Sequence, residues 1–261
     1  PRYKAVKLAS YFDHLPGPLR RAAGWRLWQR LPASVEQKSL RRRAKRLLLA
    51  LNEPPEMRYL RWICIFDNAA KDLLYTRDFA QEVAGAASSY FIQEAYEKSA
   101  GRDFLSRTTF VDLLTYLPCD LLTKVDIASM AHSLEPRSPF LDHKVIELAT
   151  SIPSSLKLKG ARDKFILKKA FKDLLPEKIL SRGKMGFGVP IAEWFRGELK
   201  GFVKEVVLSP RALARGYFRE EAVRELIQQH IEGQFDHGYR LWSLLNLELW
   251  HQRFIDQPPR L

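Results

Sequence analysis

The stretch SRGKMGFGVP, residues 181–190, sets Arg182 and Lys184 on either side of Gly183 and adds Gly186 and Gly188. Glycines at this density let a backbone turn freely and approach a ligand closely. A cation carried on such a loop suits an anion, and whether Lys184 does chemistry depends on the other charged groups that the chain brings to it. Pro190 ends the loop, and PIAEWF reads as a new helix with proline in its first turn. Taken alone, the segment also reads as a surface turn with two solvated cations.

A second candidate is GARDKFILKKAFKDLLP, residues 160–176. Arg162 and Lys164 fall in the first turn of the helix it predicts, where the helix dipole disfavours cations by about 0.3–1 kcal/mol each. An anion between those cations and the free N–H groups would reverse the penalty. Ile166, Leu167, Ala170, Phe171 and Leu174 make the expected buried face, while Lys164, Lys168 and Lys172 line another; a plain exposed lysine stripe is the alternative. The third candidate lies in YLPCDLLTKVDIASMAHSLEPRSPFLDHK, residues 116–144. Its two late prolines force a stiff, extended path that carries Glu135 and Arg137. These two are read either as a buried clamp tying the loop to the core or as a site where Arg137 faces an anion. Asp142 is placed to cap the helix HKVIELATSI.

The elements that must position these groups are helical. Pro118 opens a helix with Leu121, Leu122, Val125 and Met130 on its apolar side and Asp120 and Lys124 as an i,i+4 pair. Residues 17–31, EMRYLRWICIF, SSYFIQEAYEKSA and REEAVRELIQQHIEG repeat apolar residues at helical spacing, the last closed by Gly233. YRLWSLLNLELWHQRFI places Leu241, Leu244, Leu245 and Leu249 at core spacing. Only SSLKLKG, residues 154–160, suggests an extended piece. The chain therefore reads as mostly α, one compact unit of about ten helices.

The totals agree with a folded protein: 261 residues, 46% hydrophobic and 11% aromatic. Two cysteines, Cys64 and Cys119, are too few for a disulfide framework, so a reducing cytosol is expected. Neither they nor the six histidines form a zinc pattern, and no apolar run is long enough to span a bilayer. The net charge of +13 favours polyanions, including nucleotide phosphates. Much of it lies in residues 20–46, where Glu36 is the only acid. That run admits a basic nucleic-acid-binding module, although no finger, RRM or KH signature accompanies it. The phosphate loops G-x-x-x-x-G-K-[ST] and G-x-G-x-x-G are also missing.

Two stretches in this order, LPCDLLTKVDIASMAHSLEPRSPFLDHKVIELA and KGARDKFILKKAFKDLLPEKILSRGKMGFGVPIAEWFRGEL, resemble the C-terminal synthetase half of glutamine-dependent asparagine synthetases. The resemblance covers residues 110–255, with PRSPFLD and the R-x-K-x-G-F of Arg182 to Phe187 as its most specific parts. Residues 1–109 fit the family's variable helical stretch. The resemblance implies the helical C-terminal part of a synthetase domain of the adenine-nucleotide α-hydrolase (ATP pyrophosphatase) kind, with its parallel sheet largely upstream. It implies activation of the aspartate side-chain carboxylate with Mg2+ and ATP, then attack by ammonia from a separate glutaminase domain. Lys184 falls on the family's catalytic lysine, and Lys164 on its pyrophosphate lysine. Glu135, Arg137, Asp142 and Arg182 are left as supporting residues.

The family's S-G-G-x-D-S and S-G-x-G-A-D-E loops are absent, so Mg2+ ligands are expected upstream and none in this chain. The missing initiator Met also suggests a piece of something longer, inactive alone. Aspartate, ATP and ammonia are the expected partners, a homodimer is possible, and neither nucleic acid nor a membrane is expected. A non-catalytic scaffold paralogue is the other alternative. A chain cut from its sheet should expose an apolar surface of more than a few hundred Å².

Overall fold

The computed structural model describes residues 2–16, 47–48, 50–51, 53–87, 89–160, 162–183 and 188–257. The described residues are mostly helical, in more and shorter helices than the ten expected. In chain order these are α1 (Arg2–Asp13), α2 (Pro55–Ile63), α3 (Asn68–Leu74), α4 (Arg77–Glu82), α5 (Tyr90–Lys98) and α6 (Phe104–Leu114). There follow α7 (Thr123–Met130), α8 (His143–Ser151), α9 (Ser154–Lys157), α10 (Phe165–Ala170) and α11 (Glu177–Ser181). The last are α12 (Ile191–Arg196), α13 (Lys200–Val207), α14 (Pro210–Ala214), α15 (Glu220–Ile231) and α16 (Gly238–Trp250). Two short strands, β1 (Leu158–Lys159) and β2 (Arg162–Asp163), pair antiparallel with Lys159 opposite Arg162. Gly160 turns between them at φ +57°, a conformation that only glycine adopts without cost.

Several starts are fixed by capping side chains. Asp67, Thr76, Asp103, Asp142 and Ser209 each accept a backbone N–H in the first turn of α3, α4, α6, α8 and α14. Each such cap is worth about 1 kcal/mol. α15 ends as expected at Gly233, φ +71°, where the Gln234 N–H reaches the Gln229 carbonyl at 3.0 Å in a Schellman closure. Pro118 opens not an α-helix but a wider π-helical turn, Leu117–Leu122, that runs into α7. The extended piece is shorter than expected, since Ser154–Lys157 forms a helical turn before β1.

The chain divides into two compact units. The first comprises the described residues up to 62 together with 89–183. Its core joins Val6 and Ala9 of α1, Tyr59 of α2, Ile92 and Tyr96 of α5, and Val111 of α6. Two buried polar groups lock these helices together. Arg58 bonds Asp13 at 2.8 Å and the Glu53 and Leu51 carbonyls. The Asp112 carboxylate accepts the hydroxyl of Tyr3 at 2.5 Å and that of Tyr59. Thr108 donates to the Phe104 carbonyl, so Tyr96 is the donor in its 3.0 Å bond to the Thr108 hydroxyl. Burial pushes the Tyr96 phenol well above its ordinary range.

Beyond Thr115 the first unit changes character. Between residues 116 and 183, Leu158 is the only described residue that is buried. The face expected to be covered on the helix of residues 165–174 is open: Ala170 and Phe171 are exposed, and Leu174 is 74% exposed. Ile166 and Leu167 are half-buried, but α10 ends at Ala170, so Phe171 and Leu174 leave its register.

The second unit comprises residues 63–87 and the described residues from 188 onward. Leu74, Phe195, Val203, Val207, Val223, Ile227, Leu241, Leu244 and Leu245 form one core cluster among α3, α12, α13, α15 and α16. Burying each such side chain stabilises the fold by about 1.5–3 kcal/mol. At its edge Arg215 bonds both Glu248 oxygens, at 2.6 and 3.1 Å, and both Asp256 oxygens, at 3.2 and 2.6 Å. Burial alone would raise the Glu248 carboxyl, but the bonds from Arg215 hold it below its ordinary value.

Candidate functional site

Lys164 lies at the N-cap of α10 with a left-handed backbone, φ 54° and ψ 36°, and an exposed side chain. A lysine there costs about 1–2 kcal/mol relative to a right-handed conformation, the kind of local strain that clusters at ligand sites. The hairpin that precedes it collects further cations. Lys4 and Lys168 approach the Asp163 carboxylate at 3.9 and 3.8 Å, and Lys7 donates to the Leu158 carbonyl at 3.0 Å. The Lys159 ammonium sits over the Phe165 ring at 4.9 Å. Lys4 and Lys168 thus flank the one carboxylate of the hairpin, while Lys7, Lys159 and Arg162 lie on or against the same hairpin and Lys164 follows it, so cations outnumber acids there and the local field suits phosphate oxygens. That donor set does not suit Mg2+, which takes carboxylate and water oxygens. Among the described residues no group of three or more His, Cys, Asp or Glu is placed to hold a metal ion.

The other candidates are less concentrated. Arg182 is exposed at the end of α11, and Lys184, the candidate catalytic residue, lies outside the described residues. So does the basic run of residues 20–46. Glu135 and Arg137 bond each other through both carboxylate oxygens, at 3.0 and 3.3 Å. Their side chains are 65% and 84% exposed, so the pair clamps nothing to a core. Asp142 accepts the Lys144 N–H at 2.9 Å, as its capping role requires. No ion pair joins Asp120 to Lys124 among the described residues. The sequence reading missed Lys4, Lys7 and Lys159. Lys7 meets its partner across 151 residues, and no local pattern reports such a contact.

A mostly helical chain with a cationic hairpin beside a left-handed lysine is set apart from the common nucleotide-binding motifs, and comparison with known proteins places it. The family model described as asparagine synthase matches residues 1–252, and the chain belongs to that family. It is 35% identical over 250 residues to a putative glutamine-hydrolyzing asparagine synthetase of Mycobacterium tuberculosis, covering 94% of this chain and 36% of that protein. It is 31% identical over 216 residues to the glutamine-hydrolyzing asparagine synthetase 1 of Bacillus subtilis, covering 82% of this chain and 33% of that protein. A shorter match, 30% over 121 residues, is to the amidase chyE of Penicillium rubens, covering 44% of this chain and 18% of that protein. The chain thus spans about a third of the length of the asparagine synthetases it matches. No solved structure matches it.

Proposed function

We propose that this chain is the helix-rich C-terminal part of an ATP-dependent ligase that converts the side-chain carboxylate of aspartate to an amide, both units belonging to one synthetase domain. The reading rests on the cations Lys4, Lys159, Lys168 and Arg162 of the hairpin that leads into Lys164, in a chain of this family. In the proposed reaction an aspartate carboxylate oxygen attacks the α-phosphorus of ATP and pyrophosphate leaves with the bonding pair. Ammonia, from glutamine hydrolysed in a separate domain, then attacks the acyl carbon and AMP departs. Lys164 and its neighbours hold the pyrophosphate oxygens. Lys184, in its glycine-rich sequence, offsets the charge that develops on the phosphates. Fixed donors of that kind are worth about 2.7–4 kcal/mol each.

Mg2+ would be held by residues other than those described here, and no step is routed through it. The chain by itself is inactive in this reading, and a cytoplasmic location belongs to the same proposal. Among the described residues no helix is long and apolar enough to cross a membrane. We assign the open face of residues 116–183, with Ile127, Leu134, Phe140, Leu148 and Leu174 all more than 60% exposed, to contact with the rest of the ligase.

The test is aspartate-dependent pyrophosphate release by the complete protein, with free ammonia as nitrogen donor so that glutamine hydrolysis is bypassed. Lys184→Ala should lower kcat by about 100- to 1,000-fold, and Lys164→Ala should lower pyrophosphate release with the helical circular dichroism unchanged. Wild-type rates in both variants would remove the assignment.

A further inference from the structure

The second unit contains a cleft of about 490 Å³ between α3 and α15, bordered by the start of α16. That volume lies within the range of small-molecule sites, which combine an apolar wall with a few fixed polar groups. α15 lends it Ala222, Glu225, Leu226 and Gln229, spaced i, i+3, i+4 and i+7 along one stripe. Across from them stand Phe66 and Leu73, and Leu73 is 68% exposed although apolar.

The polar groups are organised by a short relay. The Gln229 side-chain nitrogen donates to Glu225 Oε1 at 2.8 Å. A carboxylate only accepts, so the amide is fixed with its oxygen toward His237, and the 2.8 Å bond to that oxygen makes His237 Nε2 the donor. The imidazole is 8% exposed; burial, then Arg240 and His230, lower its pKa to about 4. It is therefore neutral near pH 7 and keeps a lone pair on Nδ1. Arg240 uses Nε on the Ile65 carbonyl at 3.3 Å and lies over the Phe66 ring at 5.5 Å, which holds its guanidinium in place and leaves both terminal nitrogens as donors. His237 and Arg240 are three residues apart on the first turn of α16, neighbours about 5–6 Å apart on such a surface.

Two further charges line the cleft. Asp67 caps α3 through the Ala70 N–H, and Arg219 spends one terminal nitrogen on the carbonyls of Asp72 and Leu73 at the other end of that helix and keeps its charge. The guanidiniums of Arg240 and Arg219 are thus matched by the carboxylates of Asp67, Glu221 and Glu225, with the imidazole beside Arg240. This balance rejects a polyanion such as a nucleotide. It matches an ammonium and a carboxylate on one carbon. We propose that the cleft binds a free α-amino acid with an apolar side chain, its carboxylate on Arg240, its ammonium at Glu225 and His237, and its side chain along Leu73, Ala222 and Leu226.

The test is calorimetric titration of the full-length protein with L-leucine and L-phenylalanine, with aspartate and glutamine saturating so that substrate sites are filled. At least one of the two should bind saturably, and 4-methylpentanoate and 3-methylbutylamine, which each lack one charge, should bind about tenfold more weakly or worse. Arg240→Gln should weaken binding by a similar factor. Leu73→Trp, at an exposed position whose change removes nothing from the core, should abolish it while leaving the thermal midpoint near that of the parent. Absence of saturable binding by both amino acids at millimolar concentration overturns the proposal. So does equal binding of the singly charged analogues, or binding that survives Leu73→Trp.

Discussion

The second unit and the stretch from residue 116 to 183 are both built from helices that carry apolar residues, the longest of 13 residues in the one and of nine in the other, yet one closes a core and the other does not. In the second unit α12, α13, α15 and α16 turn their apolar stripes toward one another, and nine residues are buried together with α3. Along 116–183 Asp142 caps α8 in the same way as the caps of α3, α4 and α14, but among the described residues Leu158 alone is buried. Local signals, caps and turns, are thus sufficient to set helix boundaries. They are not sufficient to say what a helix packs against. A helix whose stripe lacks a partner draws little stability from burial, because most helical stability in proteins comes from tertiary packing.

The contrast can be broken at its strongest point first. Arg215→Ala would leave the buried Glu248 carboxylate without its cationic partner and with only the bond from Gln252, and the second unit should lose about 3–5 kcal/mol. Urea unfolding followed by hydrogen exchange of α16 amides reads this directly, and a loss below about 1 kcal/mol would mean the network is solvated. Leu245→Ala should cost about 2–5 kcal/mol, whereas Ile127→Ala, at 65% exposure, should stay within about 0.5 kcal/mol in the 261-residue chain. Equal losses would show that the open stretch has a core after all. In the complete protein the cost of Ile127→Ala should rise, which sharpens the assignment of that face.

Acid separates the two regions by a different route. His230 accepts the His237 N–H on Nδ1 at 3.0 Å, so its Nε2 is the donor to the Ala192 carbonyl at 3.1 Å, and burial lowers its pKa. Both histidines therefore take up protons in the unfolded chain before they do so in the folded one. The second unit should be most stable above pH 6.5 and lose stability as pH falls from 6.5 toward 4, by up to roughly 3 kcal/mol for His237. Thermal midpoints across that interval, compared with His237→Gln, check the sign; a flat profile would mean that neither imidazole is desolvated. The smallest effect belongs to Arg137→Ala. Its exposed pair with Glu135 should be worth less than about 0.5 kcal/mol, and a drop in pyrophosphate release would instead make Arg137 an anion contact.

Much of the second unit was legible in the sequence, because its signals are local. Leu241, Leu244 and Leu245 repeat at helical spacing and are buried, although Leu249, expected with them, is exposed, and Gly233 closes α15 where a left-handed residue is needed. Asp142 caps α8 for the same reason. Phe171 and Leu174 repeat at the same spacing but are exposed, since periodicity reports that a face is apolar and not what covers it. The candidate site was half legible. Lys164 and Arg162 were visible as cations at a helix start, whereas Lys4 and Lys7 reach the hairpin from the far end of the chain. At Pro118 the sequence marks a helix start but not its pitch, which depends on how the next turn is satisfied.

The two phenols on Asp112 carry a kinetic meaning. Tyr3 and Tyr59 reach that carboxylate across 109 and 53 residues, so two long loops must close before the charge has its donors. Closure of loops that long is slow to be rewarded, because the entropy is spent before any contact forms. The Asp112 carboxylate has both phenol donors only while α1 and α2 are docked on α6, so one buried charge links the opening residues of the chain to a helix a hundred residues on.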